Sequence, residues 1–305
     1  MKAAITTKYG PPEVLEVREV SKPSPKKNEL LIKNLVAAVN YGDTRIRRLQ
    51  EPEPLRFVMR LMLGFNRPKQ PILGTAFSGI VEEIGSEVSN FIIGDEVFGL
   101  TGMAMGAHAQ YLTIAHDRMV AKKPPNATFT EAAAVVLGAH TAIYFLQQTK
   151  ITEKNNLQVL IYGAGGAVGT AAVQIAKHYR AIVTAVCSTA GQQLANNLGA
   201  DYVILYDQED FRHNRKRYDV IFDAVGKITK NSCRKSLTEA GQYVSVDFPN
   251  SAKEHIEQLT LVRTLFEDSK YQAVIDQTFP LNEIVEAHRY VDTKRKKGNV
   301  VITLW

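Results

Sequence analysis

Gln158–Cys187, QVLIYGAGGAVGTAAVQIAKHYRAIVTAVC, is the stretch whose reading decides the fold. Val159, Leu160 and Ile161 make a short continuous apolar run, as a strand buried on both faces of a parallel sheet requires. A glycine turn follows: Gly163-Ala164-Gly165-Gly166-Ala167-Val168-Gly169. Val168, Ala172, Ile175 and Ala176 then recur on one face of a helix. Ala181 to Cys187 is a second apolar run rich in β-branched residues and predicts the next strand. Glycines in such a turn let backbone N–H groups approach a pyrophosphate, and the helix N-terminus adds partial positive charge for the same anion. The triplet Gly163, Gly166 and Gly169 departs from a strict G-x-G-x-x-G. A glycine cluster alone is weak evidence; inside a complete strand–turn–helix–strand unit it points to a dinucleotide.

Further strands are predicted at Tyr202–Leu205, Val220–Phe222 and Gln242–Val246, after those at Val159–Ile161 and Ile182–Val186. Helical patterns separate most of them from about 126 to 250, so a parallel sheet with right-handed crossovers is expected. Before this unit, Ala3–Thr7, Leu15–Val20, Glu29–Val39, Phe77–Ile84, Gly94–Phe98 and residues 107–120 read as short strands punctuated by Gly and Pro, the pattern of a β-barrel-like domain. Asn40-Tyr41-Gly42-Asp43 is expected as a loop presenting side chains to a ligand. Pro54 to Gly64 has apolar residues at 55, 58, 59, 62 and 63 and predicts a short amphipathic helix. That helix is expected to cover the core with a basic outer face. A lid over an apolar substrate, or a contact with lipid, is the functional alternative for the basic 45–67 segment. Lys122-Lys123-Pro124-Pro125 reads as a linker, and Thr128 or Thr130 as the cap of a helix reaching Gln148. Helices are expected over 256–272 and 282–292, and a closing strand over 299–304.

The 305 residues are 45% hydrophobic and 22% charged, enough chain for about two globular domains. No apolar run approaches the roughly 20 residues that span a bilayer, so no membrane span is expected. MKAAITTKYG lacks the apolar core of a signal peptide, and two cysteines argue against a disulfide scaffold, so a cytoplasmic location is expected. The net charge of +6 sits largely in runs at Arg45–Arg48, Arg212–Arg217 and Lys294–Lys297. These are expected to be solvated surface, with no nucleic-acid partner.

The chain resembles a medium-chain dehydrogenase/reductase of the zinc-independent quinone oxidoreductase branch. The residues that carry the resemblance include KYGPPEVLEVREV, VNYGDTRIRR, ILGTAFSGIVEEIGSEVSNFIIGDEVFG, GAHAQYLTIAHDRMVAKKPPNATFTEAAAV, YGAGGAVGTAAVQIAK, CSTAGQQLANNLGADYVILY, YDVIFDAVG and FPLNEIVEAHRYVDTKRKKGNVVITL, almost end to end. It implies an α/β fold: a Rossmann-type doubly wound parallel sheet plus a GroES-like β-barrel domain. The GroES-like catalytic domain would take 1–125 and 265–305, and the dinucleotide-binding domain 126–264. A cleft between them would hold the cofactor. Where zinc-dependent members of the superfamily carry Cys, His and Glu, this chain has Asn40, Thr75 and Ala76, so no zinc is expected. Hydride transfer to a small electrophile, a quinone or an α,β-unsaturated carbonyl, is the implied reaction.

By the same resemblance Asn40 would lie near the nicotinamide and Asp43 would support its loop. Tyr41 either faces the core or meets the substrate carbonyl. Gly163, Gly165, Gly166, Ala167, Val168 and Gly169 would hold the cofactor, with Ser188, Thr189, Tyr206, Ala224, Val225, Gly298 and Asn299 around it. Residues 187–191, CSTAG, contain no acid, which favours NADPH over NADH, with Ser188 and Thr189 as donors to the 2′-phosphate. His108, His116 and His140 are expected to be ordinary surface or core residues. After Phe248 the family pattern breaks: a helix and strand of about 25 residues is missing, judged by the length of a βα unit. A five-stranded sheet, and either a monomer or a weakened homodimer, would follow. The other functions weighed are a zinc-free alcohol or ketone reductase, and a non-catalytic NADPH-sensing or RNA-binding protein on the same fold.

Overall fold

The computed structural model describes residues 1–50, 52–247 and 252–305. In chain order the elements are β1 (Lys2–Thr6), β2 (Leu15–Glu19), β3 (Glu29–Ala38), α1 (Tyr41–Arg48), α2 (Leu55–Leu63), β4 (Ala76–Ile84), β5 (Glu96–Leu100), β6 (Tyr111–Ala115) and β7 (Val120–Lys122). There follow α3 (Phe129–Gln147), β8 (Gln158–Tyr162), α4 (Ala167–His178), β9 (Ile182–Cys187), α5 (Gln192–Asn197), β10 (Tyr202–Leu205), β11 (Tyr218–Asp223), α6 (Lys230–Cys233), β12 (Leu237–Ser245) and α7 (Ile256–Glu267). The chain closes with β13 (Ile275–Pro280), α8 (Ile284–Asp292) and β14 (Asn299–Thr303). Contacts divide it into two compact units, Met1–Val136 with Ile275–Trp305, and Leu137–Val274.

The first unit is built on β3. Leu30, Leu31 and Ile32 are all fully buried, so both faces of β3 are covered there, and it pairs with β4, β6 and β14, all antiparallel. The full order is β13-β14-β3-β4-β5-β7, with β6 on β3. Phe77, Val81, Val97 and Leu112 join Ile284, Ala287 and Val291 of α8 in one core. Three features depart from the sequence expectation. Asn40–Asp43 is not a loop: Asn40 is the N-cap of α1, and the helix starts at Tyr41. Ile275–Pro280 is a strand, with Pro280 as its last residue on the sheet edge, where no ladder N–H is needed. Lys122, read as the first residue of a linker, is the last residue of β7 and pairs with β5.

Helix α2 forms where its periodicity places it, but the expectation that it covers the core fails. None of its residues is buried. Leu55, Met59 and Leu63 are half-buried, while Phe57, Val58, Leu61 and Met62 point outward and are exposed. The basic run Arg45–Arg48 is not all solvated surface either. Arg47 is fully buried, donates to the Gly10 carbonyl at 3.2 Å and pairs with Asp292.

The second unit is a five-stranded parallel sheet, ordered β10-β9-β8-β11-β12 among the described residues. Five strands are what the sequence pattern anticipated. Chain order reverses between β8 and β11, the switch point at which open α/β sheets bind ligands beyond the carboxyl ends of their strands. Leu160, Val186, Ile204, Phe211 and Ile221 form its core on one face. The break in the family pattern after 248 falls largely on residues 248–251, outside the described residues.

Helix α3 is capped as expected: the Glu131 amide donates to Thr128 Oγ1 at 3.2 Å, and the Thr128 amide donates to Glu131 Oε2 at 2.8 Å. It is long and apolar enough to cross a membrane, yet 67% of its most apolar 18-residue window is buried inside the protein.

Candidate functional site

In the second unit the Gly163–Gly169 turn leaves the end of β8 and opens α4. Gly163 has a φ of 84°, and a Cβ there would sit 2.6 Å from Val225 Cγ1. The turn is therefore pressed against the loop that follows β11. That loop is pinned by Asp223, a fully buried carboxylate that accepts from the amides of Val225 (3.1 Å), Gly226 (2.9 Å) and Ile228 (2.9 Å). Ala224 is buried below it and Val225 is exposed. The two loops flank the switch point because Tyr162 and Asp223 are paired at the ends of β8 and β11.

The three glycines of the turn proper have different reasons to be glycine. Gly169 packs on the turn itself: a Cβ would lie 2.1 Å from the Gly163 carbonyl oxygen. Gly165 meets nothing within 4 Å, and Gly166 only the Gly163 carbonyl at 3.7 Å. Protein packing does not exclude a side chain at 165. The N-cap of α4 is Gly166, which has no side chain to satisfy the helix amides, so Ala167, Val168 and Gly169 present the orphan N–H groups of a helix start. Uncapped helix amides of this kind can take an anion such as a diphosphate, and the missing Cβ at Gly165 leaves open space beside them.

Next to it, β9 ends at Cys187 and β10 at Leu205, paired side by side. Ser188 and Thr189 therefore lie beside Tyr206 and Asp207, and Tyr206 is exposed. Residues 187–191 hold no acid, but the fold brings one to them. Asp207 accepts from the Thr189 amide at 3.1 and 3.0 Å through its two oxygens, and from Thr189 Oγ1 at 3.1 Å. These hydrogen bonds, the amide's first, hold the carboxyl below its ordinary value. Thr189 is not a free donor. The acid comes from the segment that follows the neighbouring strand β10, not from the end of β9.

In the first unit, the start of α1 sits in a buried polar cluster. Asp43 is almost wholly buried and accepts from the amides of Asn40 (2.7 Å) and Gly74. Burial pushes its carboxyl up, and the nearby His108 opposes that shift. His108 is itself buried, with Nε2 3.1 Å from the Ala38 carbonyl oxygen and its ring perpendicular to His288 at 5.5 Å. Gly74 is glycine because a Cβ would meet His108 Cδ2 at 2.3 Å. Asn40 is 4% exposed, and its Nδ2 has no hydrogen-bond partner. Tyr41 does not face the core: it is exposed, with the Arg48 guanidinium 5.6 Å and Lys294 Nζ 5.4 Å from its ring centre.

Asn299 begins β14 and Gly298 immediately precedes it; both are buried, and Gly298 has a φ of 68° and accepts from Lys296 Nζ at 2.5 Å. Sequence reading passed over Lys296, whose ammonium is pushed down to about 8 by burial, against the opposing charge of Asp276. A lone Lys in the basic run 294–297 carries no signal of that in sequence. His140 bonds Gln258, and among the described residues no three His, Cys, Asp or Glu side chains converge as a metal site would need.

The family model described as an alcohol dehydrogenase GroES-like domain matches residues 26–125, and one described as a zinc-binding dehydrogenase matches 198–302. The 2-methylene-furan-3-one reductase of Solanum lycopersicum is 32% identical over 99% of this chain and 79% of its own length. The chloroplastic NADPH-dependent alkenal/one oxidoreductase of Arabidopsis thaliana is 30% identical with the same coverage of both chains. Among solved structures, the quinone oxidoreductase from Coxiella burnetii matches with a TM-score of 0.90 at 30% identity, covering 100% of this chain and 99% of that one. A GroES-like segment, a switch-point glycine cradle and full-length similarity to these reductases place the chain in the medium-chain dehydrogenase/reductase family, in its quinone-oxidoreductase-like branch.

Proposed function

We propose that this protein is an NADPH-dependent oxidoreductase that reduces a quinone or an α,β-unsaturated carbonyl without zinc. The observation that carries the reading is the Gly163–Gly169 turn: uncapped helix amides beside an open Gly165, at the switch point between β8 and β11. The names of its relatives, an alkenal/one oxidoreductase, a furanone reductase and a quinone oxidoreductase, support electron-poor acceptors. The Arabidopsis relative's name also supports NADPH.

When bound, the dihydronicotinamide supplies the hydride that the acceptor takes up together with a proton. The amides of Ala167, Val168 and Gly169 would hold the diphosphate, and Asp223 keeps Ala224 and Val225 shaped around the turn. Gly298 and Asn299 belong to the returning segment that we assign to the nicotinamide end. In the first unit we assign Asn40 Nδ2 as the donor to the acceptor's carbonyl oxygen, since it is buried and unpartnered. A donor already placed before charge develops on that oxygen stabilises it without reorganisation. Asp43 holds Asn40 through its backbone amide, and Tyr41, exposed between Arg48 and Lys294, is our candidate to meet the substrate. The zinc-free reading rests on the side chains present: Asn40, Thr75 and Ala76 offer no set of metal donors. Cys187 and Cys233 are both free and buried, which fits a reducing, cytoplasmic setting. The edge strand β12 is the place where a second copy would pair, and a monomer or weak dimer is our reading.

Oxidation of NADPH across a panel of a quinone, an enal and a simple ketone tests the function. Turnover of quinone or enal, with the ketone inert, supports it. Ketone reduction favours the carbonyl-reductase alternative, and tight NADPH binding without turnover of any acceptor points to a non-catalytic sensor.

A further inference from the structure

Two adjacent parallel strands deliver their following residues to the same spot. Leu205 of β10 is paired with Cys187 of β9, and the Tyr206 amide donates to the Cys187 carbonyl at 2.9 Å. Asp207 thereby lands on Thr189 and takes both its amide and its hydroxyl, while Gln208 Nε2 donates to Thr189 Oγ1 at 3.1 Å. In dinucleotide folds the residues after the second strand meet the adenosine ribose, and an acid there accepts from the ribose hydroxyls. This chain has no acid after its second strand, and the third strand supplies one. The depression beside it, about 600 Å³, is lined by Tyr206, Asp207, Glu209, Asp210 and His213, so three carboxylates face the same space. Arg212, the cation close by, is already bound by Asp210 through Nε at 2.9 Å.

Resting on the reading of the glycine turn as the diphosphate cradle, we propose that Asp207 sets the discrimination between a ribose 2′-hydroxyl and a 2′-phosphate. Its carboxylate occupies the donors that a 2′-phosphate would use, and it repels that phosphate. A 2′-hydroxyl meets neither obstacle, because it can donate to the carboxylate. NADPH must displace Asp207 from Thr189 before it seats, and NADH need not. The chain therefore gives up part of the NADPH selectivity that the missing acid in CSTAG would otherwise confer.

The test is Asp207→Asn, which keeps the size and an acceptor for Thr189 but removes the charge, with Asp207→Ala as a second variant. KM and kcat for NADPH and for NADH are measured with one quinone. The ratio of kcat/KM for NADPH over NADH should rise about tenfold in both variants, through the KM for NADPH, with kcat unchanged, because removing a like charge relieves a repulsion specific to the phosphate. A ratio that stays within twofold of wild type, or a change shared equally by both nucleotides, overturns the proposal while leaving the cradle intact. If a fluorescence titration shows that wild type binds neither nucleotide, the cradle reading falls as well. Melting temperatures of the variants should match wild type, since Asp207 is at the surface.

Discussion

Gly169 and Gly163 touch through their backbones: the first turn of α4 lies so close to the end of β8 that a Cβ on Gly169 would come within 2.1 Å of the Gly163 carbonyl oxygen. Gly165, between them, has open space on its Cβ side. Substitution separates the two roles. Gly169→Ala should destabilise the fold by about 2–3 kcal/mol, the cost of overpacking against a backbone that cannot move aside. Gly165→Ala should leave stability within about 0.5 kcal/mol of wild type. The same change should weaken NADPH binding roughly tenfold, because the added methyl occupies the approach of the diphosphate. Thermal melting and a fluorescence titration of NADPH check both halves.

Asn40→Ser keeps a short polar side chain at the N-cap of α1 and deletes the unpartnered Nδ2. No internal hydrogen bond is lost with that atom. Stability should stay within about 1 kcal/mol of wild type, the range of an N-cap exchange. Activity should respond far more: kcat/KM for the quinone is expected to fall about 100-fold, as when a preorganised donor to a developing oxyanion is removed. Retention of full activity would remove Asn40 from the reaction.

His288 is buried with neither ring nitrogen hydrogen-bonded. Burial, then the charges of His108 and Arg47, hold it well below the usual histidine value. It is neutral in the folded protein, whereas in the unfolded chain it titrates near 6.5. Below that pH the unfolded state takes up a proton that the folded state refuses, so stability falls with pH, by up to about 1.4 kcal/mol per unit. His108 acts in the same sense and Asp43, whose carboxyl burial raises, in the opposite one. His288→Leu isolates the residue. The variant should be as stable as wild type or more so at pH 7.5, because an unsatisfied buried polar group is gone. Between pH 6.5 and 5.5 wild type should lose about 1 kcal/mol more than the variant. Parallel stability curves in urea would contradict this.

The outward face of α2 contributes nothing to the core. Phe57, Leu61 and Met62 are 54%, 51% and 65% exposed, which decides between a core helix and a surface one. Replacing all three by Ser should change unfolding free energy by less than about 1 kcal/mol in total, against roughly 2–5 kcal/mol for each large apolar side chain lost from a core. A drop of several kcal/mol would restore the core-covering role expected from its periodicity.

The parallel sheet was legible because its strands are continuous apolar runs, a signal that survives without any partner strand in view. Helix α1 was not. Asn40, Gly42 and Asp43 are turn residues by local preference, and only the bonds from the Asn40 and Gly74 amides to Asp43 show that they start a helix. Strand β13 was masked by Pro280, which reads as a helix start until its edge position is known. The glycine turn between β8 and α4 could be named from sequence, but which glycine serves packing and which leaves space could not, since that depends on the Gly163 carbonyl folding back onto α4. Asp207 was missed for a different reason: it lies 18 residues from Thr189, and only strand pairing brings them together. Buried Arg47 was hidden in a basic run because its partner, Asp292, is 245 residues away.

Hydride transfer is tested most directly with NADPH carrying deuterium at both C4 positions of the dihydronicotinamide, mixed with an enone and the purified protein. Deuterium recovered on the β-carbon of the saturated product, one per molecule and dependent on the protein, is the expected result. A saturated product free of deuterium, or an enone left unchanged by protein saturated with NADPH, would contradict it.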